Sequence, residues 1–314
     1  MSGRKPIRNG GSFFDNPDIC IVWAVSTKDN LLILNNVLQA SSGVKQVICV
    51  NWGTKYGASF VNRLYAMVNR NITPPYTFTC FTDVRAGIRD EVHCEDLPPL
   101  SIDKLPEGTL GIWGKSRLWN QRLGSLAGSV LFLDLDLIVV NSLDPFFEIG
   151  DANDVFMARN QTTPFERLGQ SSVLRFPVGR LVPLLEKFTT DPQGVADKYR
   201  FEQRFVTKNV PGGVKFFPRH AVLHFRQDCR RTFPLNYFLA PKLPSSARVV
   251  LFPRGLHPEH AAEGRYRGRD EVRSPFDHFR SSLESRNRGG KSLIRYLRHY
   301  ILPTPWIKDH WHEG

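Results

Sequence analysis

The sequence predicts an α/β fold built around a mostly parallel sheet. Between residues 44 and 252, short apolar runs of strand length alternate with stretches whose apolar residues recur at helical spacing. Such alternation is typical of a parallel sheet that carries helices on both faces. The chain has 314 residues, of which 41% are hydrophobic and 23% charged. This composition excludes a disordered or fibrous protein, and the length allows a large core without disulfides.

Residues 1–43 are expected to form an N-terminal extension. A leader rich in glycine, asparagine and basic residues is followed by the apolar run DICIVWAV, which predicts a strand at 18–25, and by a short helix at 30–39. The leader lacks the apolar stretch of a signal peptide. The resemblance described below begins after this extension.

The first elements of the main domain follow from apolar pattern and from proline. The run VKQVICVN predicts a buried strand at 44–51. A helix begins near Ala58, because apolar residues then recur at helical spacing on one face. Pro74 and Pro75 end this helix before a strand at 76–81. Residues 84–112 are rich in turn-forming residues and predict a long loop.

The second half of the domain continues the alternation of strands and helices. The patterns predict helices at 115–127, 178–188 and 195–206, and strands at 129–140, 170–176, 222–225 and 248–252. The main domain therefore spans residues 44–264.

Positive charge is concentrated at the end of the chain. The protein has 42 basic and 30 acidic residues, a net charge of +12, and ten of the basic residues against four acidic ones lie between 265 and 298. Residues 265–314 are expected to form a basic amphipathic tail, because apolar residues near helical spacing lie among basic ones at 291–307. This pattern is typical of contact with an anionic membrane surface or of a solvated charged face. Nucleic acid is not expected as a partner, since no RNA- or DNA-binding motif accompanies the charge.

The run SVLFLDLDLIVV places Asp134 and Asp136 two residues apart in an apolar setting. On an extended chain both side chains point the same way and would face one site. Two buried carboxylates are costly without a cation, and Mg²⁺ or Mn²⁺ prefers carboxylate and phosphate oxygens. The pattern therefore favours a metal-dependent site that acts on a phosphorylated substrate, although acids that pair with arginines or cap helices would give the same pattern.

Residues 44–270 resemble a GT-A-type glycosyltransferase. The stretch VNWGTKYGASFVNRLYAMVNRNITPPYTFTCFTD, residues 50–83, is most similar to a bacterial branch of the family 8-like group, which includes glycogenin and lipopolysaccharide sugar transferases. The resemblance implies a Rossmann-like GT-A fold that binds a nucleotide sugar, with Mn²⁺ or Mg²⁺ held by Asp134 and Asp136.

The resemblance also implies roles for further residues. Asn51, Trp52 and Tyr56 would form the uridine pocket, with Tyr56 stacked on the base, and Asp83 would lie at the mouth of the site. Lys115 would reach the donor diphosphate. The sugar and its reacting centre would be contacted by polar residues on a later strand and helix: Gln170, Ser171, Ser172, Glu202 and Gln203.

The chain departs from the related families where they place a metal-binding histidine and a phosphate-binding lysine. Here the stretch reads FPRGLHP, with Pro253 at the expected ligand position and His257 in place of the lysine. Three readings stay open: His257 supplies the missing ligand or phosphate contact, the metal keeps an extra water, or activity is lost. Arg254 is a second candidate to contact the diphosphate.

These observations predict a cytoplasmic enzyme, free or peripheral at the inner face of the membrane, in which five scattered cysteines suit a reducing compartment. It would transfer a sugar from a nucleotide donor, UDP-linked, to a surface-glycan or lipid-linked acceptor in lipopolysaccharide-type assembly. The stereochemical outcome stays open: Glu202 is the candidate base of an inverting reaction, whereas the glycogenin-like resemblance favours retention. Two alternatives are a haloacid-dehalogenase-like phosphatase, in which an Asp of the pair is the nucleophile, and a degenerate GT-A scaffold that acts as a basic membrane-binding protein.

Overall fold

The computed structural model describes residues 43–314 except 110, 164, 253 and 254. The strand and helix predicted within residues 1–42, and the roles of Pro253 and Arg254, lie outside the described residues. Within the described ranges the chain forms ten strands: β1 (Lys45–Asn51), β2 (Tyr76–Thr82), β3 (His93–Glu95), β4 (Ser129–Leu133), β5 (Leu137–Val139), β6 (Phe156–Arg159), β7 (Gly169–Pro177), β8 (Lys215–Phe216), β9 (Val222–His224) and β10 (Val249–Leu251).

The described helices lie mostly between the strands. The α-helices are α1 (Ala58–Arg70), α2 (Asp144–Glu148), α3 (Val182–Thr190), α4 (Pro192–Tyr199), α5 (Glu202–Asn209), α6 (Pro258–Ala262), α7 (Pro275–Leu283), α8 (Leu293–Leu297) and α9 (Trp306–His310). Shorter helical segments are the 3-10 helices Ile112–Trp119, Leu235–Tyr237 and Ser285–Arg288 and the π-helix Phe225–Cys229. None of the described helices is long and apolar enough to cross a membrane.

The strands form two sheets. The larger has the order β3-β2-β1-β4-β7-β6-β8, and only the pairs that β7 forms with β4 and with β6 are antiparallel. The smaller has the order β5-β10-β9. The predicted α/β fold with a mostly parallel sheet is therefore confirmed.

The apolar run of β1 is continuous because both faces of the sheet are covered. Val47 and Cys49 point into one core cluster, while Ile48 and Val50 point into the other. A strand that is buried on both faces has no polar side to show in the sequence.

Several predicted elements end differently because of single residues. The predicted helix 115–127 is a 3-10 helix over Ile112–Trp119, and the chain turns away at Asn120, whose backbone is extended. The predicted helix 178–188 starts at Val182, after a turn that contains Gly179 with φ +81°. The predicted helix 195–206 is two helices, α4 and α5, separated at Arg200, whose φ is +61°.

The predicted strand 129–140 was wrong as a single element. The chain leaves the larger sheet after Leu133 and enters the smaller one at Leu137, with Asp134 and Asp136 in the connection between them. The predicted loop 84–112 contains the short strand β3, which extends the larger sheet beside β2.

Residues 291–307, where the sequence places apolar residues near helical spacing, do not form one continuous helix. Helical structure there is limited to α8 and the start of α9, and Leu297, Tyr300 and Ile301 are buried against the protein. Ile301 belongs to the same core cluster as β1 and α1, as do residues of α9. The apolar side that this pattern predicts is therefore largely used for internal packing.

Candidate active site

Asp134 and Asp136 form an acidic turn where the chain passes from one sheet to the other. The amide of Asp134 donates to the carbonyl of Ser172 on β7 at 3.0 Å, and Leu135 between the two acids is buried. The two side chains do face one site, as the sequence predicts, although a turn rather than a strand aims them there. Burial, followed by the charge of Asp134, raises the pKa of Asp136 above its ordinary value.

Lys115 adds a positive charge to this site, and Glu202 adds a third carboxyl group. Lys115, on the 3-10 helix, places its Nζ 2.7 Å from the carboxylate of Asp134. Burial lowers the pKa of Lys115, but Asp134 and Glu202 raise it further, so that the net shift is upward. Glu202 is the first residue of α5 and is only 4% exposed. Burial raises its pKa, against the opposing effect of Lys115.

Tyr56 connects the loop after β1 to the acidic turn. Its hydroxyl donates to Asp136 Oδ2 at 2.6 Å and accepts from Lys55 Nζ at 2.6 Å. Burial, and then the charge of Asp136, raises the pKa of Tyr56 well above its ordinary value, so the hydroxyl stays protonated. Lys55 was not among the predicted site residues, although its place in the loop WGTKYG could have indicated it.

The other residues of the predicted uridine pocket lie near the start of this loop. Asn51 ends β1 and is buried, and its Oδ1 accepts no hydrogen bond from the described residues. Trp52 packs on Gly114, where an added Cβ would lie 3.0 Å from Trp52 Cζ2. The exposed carboxylate of Asp83, just beyond β2, accepts from the amide of Gly53 at 3.2 Å.

The polar residues of β7 divide between two faces of the sheet. Ser171 Oγ donates to Glu202 Oε2 at 2.7 Å and is buried with it. Gln170 and Ser172 lie on the opposite face, where Gln170 Nε2 donates to Ser172 Oγ at 2.9 Å. The structure therefore joins Ser171, but not its two neighbours, to the carboxyl of Glu202.

A cleft of about 240 Å³ lies where Gln170 and Gln203 meet. Phe201, which is 50% exposed, and His224 at the end of β9 also line it. Further polar walls come from the segment after β6, including Asn160 and Thr162, and from Arg159 and Arg204. Sequence reasoning missed Asn160, Thr162 and His224, because no motif surrounds them and only the fold brings them together.

His257 packs against the aromatic rings of Tyr56 and Phe60, next to the acidic turn. Its ring centroid lies 5.6 Å from that of Tyr56 and 5.7 Å from that of Phe60. Burial lowers the pKa of His257, although Asp136 raises it, so the neutral imidazole is favoured. This is the form that can bind a metal.

The charge and chemistry of the acidic turn fit a divalent cation. Three carboxyl groups, those of Asp134, Asp136 and Glu202, act electrostatically on Lys115, while Lys55 contributes a second positive charge to Asp136. Mg²⁺ is commonly held by one or two carboxylates with the remaining positions filled by water and substrate phosphate. Among the described residues, no group of three or more His, Cys, Asp or Glu side chains is arranged as a complete metal site. Asp134 and Asp136 are the carboxylates that would hold such a cation.

Comparison with known proteins identifies similar folds but no similar sequence. No protein-family model matches the chain, and no curated protein matches it. The bifunctional glycosyltransferase WbbM matches with a TM-score of 0.50 at 11% identity, over 69% of this chain and 47% of that one. The galactosyltransferase LgtC, solved with donor and acceptor sugar analogues, matches 68% of this chain and 88% of its own at 14% identity and a TM-score of 0.49.

A third, more distant match is mouse xyloside xylosyltransferase 1, with 14% identity, a TM-score of 0.38, and coverage of 57% of this chain and 87% of that one. The fold argument rests on WbbM, whose match agrees with the mostly parallel sheet of the described residues. The predicted resemblance is thereby confirmed for the architecture, and the described chain has the α/β fold of the GT-A glycosyltransferases.

Proposed function

We propose that the protein is a divalent-metal-dependent glycosyltransferase that moves a sugar from a nucleotide donor, UDP-linked, to a glycan or lipid-linked acceptor. The observation that carries this proposal is the direct hydrogen bond between Tyr56, in the loop after β1, and Asp136 in the acidic turn. This hydrogen bond connects Tyr56, proposed to contact the uracil base, with Asp136, proposed to hold the metal and the diphosphate. Both residues lie in a chain with the GT-A fold.

Asp134 and Asp136 would hold Mn²⁺ or Mg²⁺ together with the donor diphosphate. The bound metal would neutralise the charge that develops on the departing nucleoside diphosphate. The raised pKa of Asp136 and the surplus of carboxylates around Lys115 support this role, because a cation removes the cost of burying like charges.

The protein side chains would position the two ends of the donor. Tyr56 would stack on the base, and Asn51 would offer its unpaired Oδ1 to the uridine. Lys115 would stay protonated and turn toward the diphosphate when the metal binds the Asp134 carboxylate that now holds it.

The cleft between Gln170 and Gln203 would receive a sugar. Its polar side chains suit hydroxyl groups, and exposed Phe201 offers an apolar surface to a sugar ring. Glu202 would lie beside the transferred sugar, where the bond from the anomeric carbon to the diphosphate oxygen breaks and a bond to an acceptor hydroxyl forms. The identity of the acceptor as a surface glycan, or as a lipid held at the inner face of the membrane, is part of the proposal.

The test is a thermal-shift measurement with UDP in the presence and absence of Mn²⁺. UDP with Mn²⁺ at about 100 times its dissociation constant should stabilise the protein by about 2.7 kcal/mol. The effect should vanish in excess chelator and in Asp136→Asn. The matched control is Asp197→Asn on the exposed side of α4, which should respond as the wild type does.

Two outcomes would contradict the proposal. If UDP stabilised the protein as much in chelator as with Mn²⁺, its binding would not require a metal. Release of phosphate from simple phosphomonoesters, lost in Asp134→Asn, would identify a phosphatase instead. The melting temperature of each variant without ligand shows whether it is folded.

A further inference from the structure

A second, strongly basic cleft lies in the C-terminal region. Its volume is about 510 Å³, and its walls come from residues 264–273, from His278 on α7 and from residues 287–300. No lining residue is shared with the cleft beside Gln203. Its cationic side chains are those of Arg267, Arg269, Arg273, Arg288 and Lys291.

The cleft holds more positive than negative charge. Five cationic side chains face two acidic ones, Asp270 and Glu271, which leaves three positive charges in excess. Arg273 pairs with Glu271 at 3.1 Å, and Asp270 accepts from the backbone amide of Arg267. Arg269 and Lys291 make no ion pair with any residue in the described ranges.

The excess charge acts on the other ionisable groups of the cleft. Burial, and then the positive charges of Arg267 and Lys291, lowers the pKa of His299 to about 4. Burial and Arg267 also lower the pKa of Lys291. In both groups burial is the largest cause of the downward shift and the neighbouring cations add to it, while Asp270 opposes it at Lys291.

Stacked rings hold the walls of the cleft in place. The rings of Tyr266 and His299 stack with centroids 4.4 Å apart, and those of His278 and Tyr296 with centroids 5.0 Å apart. Tyr300 donates its hydroxyl to the carbonyl of Arg273 at 3.1 Å. The cationic side chains therefore surround a space whose shape is set by packing, which lowers the cost of ordering a ligand there.

We propose that this basic cleft is a binding site for a ligand that carries two or more phosphoryl groups. Phosphate oxygens are the acceptors that arginine recognises best, and three uncompensated charges match more than one phosphate. The volume also exceeds what one inorganic phosphate fills. The site is independent of the acidic turn and of the proposed metal-dependent donor site.

The ligand can be a soluble polyphosphate or the headgroup region of an anionic lipid. Beside the cleft, the outer face of α7 exposes Phe276, Phe279 and Leu283, at 71%, 47% and 59% exposure. These positions share one face of the helix. Arg288 in the cleft wall donates to the carbonyl of Leu283, so the charged and apolar surfaces adjoin. A lipid-borne phosphate would bring this apolar face into contact with the bilayer.

The experiment measures binding of inorganic pyrophosphate, and of vesicles of cardiolipin, whose headgroup carries two phosphoryl groups, mixed with phosphatidylcholine. It is done in chelator so that the proposed metal-dependent donor site is silent. The test variant is Arg269→Glu/Lys291→Glu. The matched control is Arg280→Glu/Arg286→Glu, which changes the net charge equally at exposed positions outside the cleft. The test variant should lose about tenfold or more in affinity, and the control less than about twofold.

A third variant, Phe276→Ser/Phe279→Ser, distinguishes the two sources. For a lipid ligand it weakens vesicle binding and leaves pyrophosphate binding unchanged; for a soluble ligand pyrophosphate binds and vesicles do not. The proposal is overturned if the wild type binds neither probe, or if the test and control variants lose affinity equally. Asp136→Asn should keep pyrophosphate binding, which separates this site from the proposed donor site.

Discussion

Glu202 is a buried acid, and its protonation makes the free energy of unfolding depend on pH. Burial raises its pKa, so the folded state binds this proton more tightly than the unfolded chain, in which glutamate titrates near pH ~4.3. The protonated form therefore stabilises the protein below that pH, and this stabilisation is lost as the pH rises through the folded-state pKa.

Glu202→Gln removes this titration. Its free energy of unfolding relative to the wild type should rise as the pH increases from 4 toward 7, with a slope of at most about 1.4 kcal/mol per pH unit. Urea unfolding at a series of pH values measures it. Glu186→Gln, an exposed change on α3, is the matched control for the substitution itself. A constant or falling difference for Glu202→Gln would mean that this carboxyl does not titrate as described.

Residue pairs at the site show what sequence can and cannot predict. Asp134 and Asp136 could be found because two acids in one apolar run are chemically unusual. Their partners could not be derived from spacing, since Tyr56 precedes Asp136 by 80 residues and Lys115 precedes Asp134 by 19. The family resemblance indicated both partners, whereas Asn160 and His224 lie in segments with no motif and were missed.

At the scale of elements, strands buried on both faces were predicted well and connections poorly. β1 and β2 stand out as apolar runs, and their predicted bounds agree with the structure to within one residue. The break between α4 and α5 could not be predicted, because Arg200 is a good helix former and nothing in the sequence marks the φ of +61° at which α4 ends. That break makes Glu202 the first residue of α5 rather than a residue inside a longer helix.

The positive φ of Arg200 allows the separation of α4 from α5 to be tested. Arg200→Gly should raise the free energy of unfolding by about 1 kcal/mol, because glycine adopts positive φ without a Cβ clash. The matched control is Lys198→Gly, two residues earlier inside α4, which should lower it by about 1 kcal/mol. Urea unfolding measures both. A loss of stability in both variants would contradict a positive φ at Arg200.

At the scale of the whole molecule, the position of β1 in the larger sheet bears on the part that the N-terminal extension plays in the fold. β1 lies in the interior of the larger sheet, between β2 and β4, and the edges of that sheet are β3 and β8. β1 therefore pairs with a strand on each side, and neither of these two strands comes from residues 18–40.

A chain that starts at Ser42 should remain soluble, unfold cooperatively and bind UDP with Mn²⁺ as the full chain does. Calorimetry and the thermal-shift measurement of the two chains compare them directly. If residues 18–40 bury apolar area on the sheet, the shorter chain loses about 25 cal/mol for each Å² removed. Aggregation or loss of nucleotide binding in the shorter chain would place the extension in the catalytic domain.

The acidic turn is also the covalent junction of the two sheets, since β4 ends one residue before Asp134 and β5 begins one residue after Asp136. Each carboxylate is thus anchored to a different sheet, and their separation depends on how the sheets are docked. The packing of the second sheet against the first therefore sets where Asp136 stands relative to Asp134, and a substitution between the sheets could alter the acidic turn without touching either carboxylate.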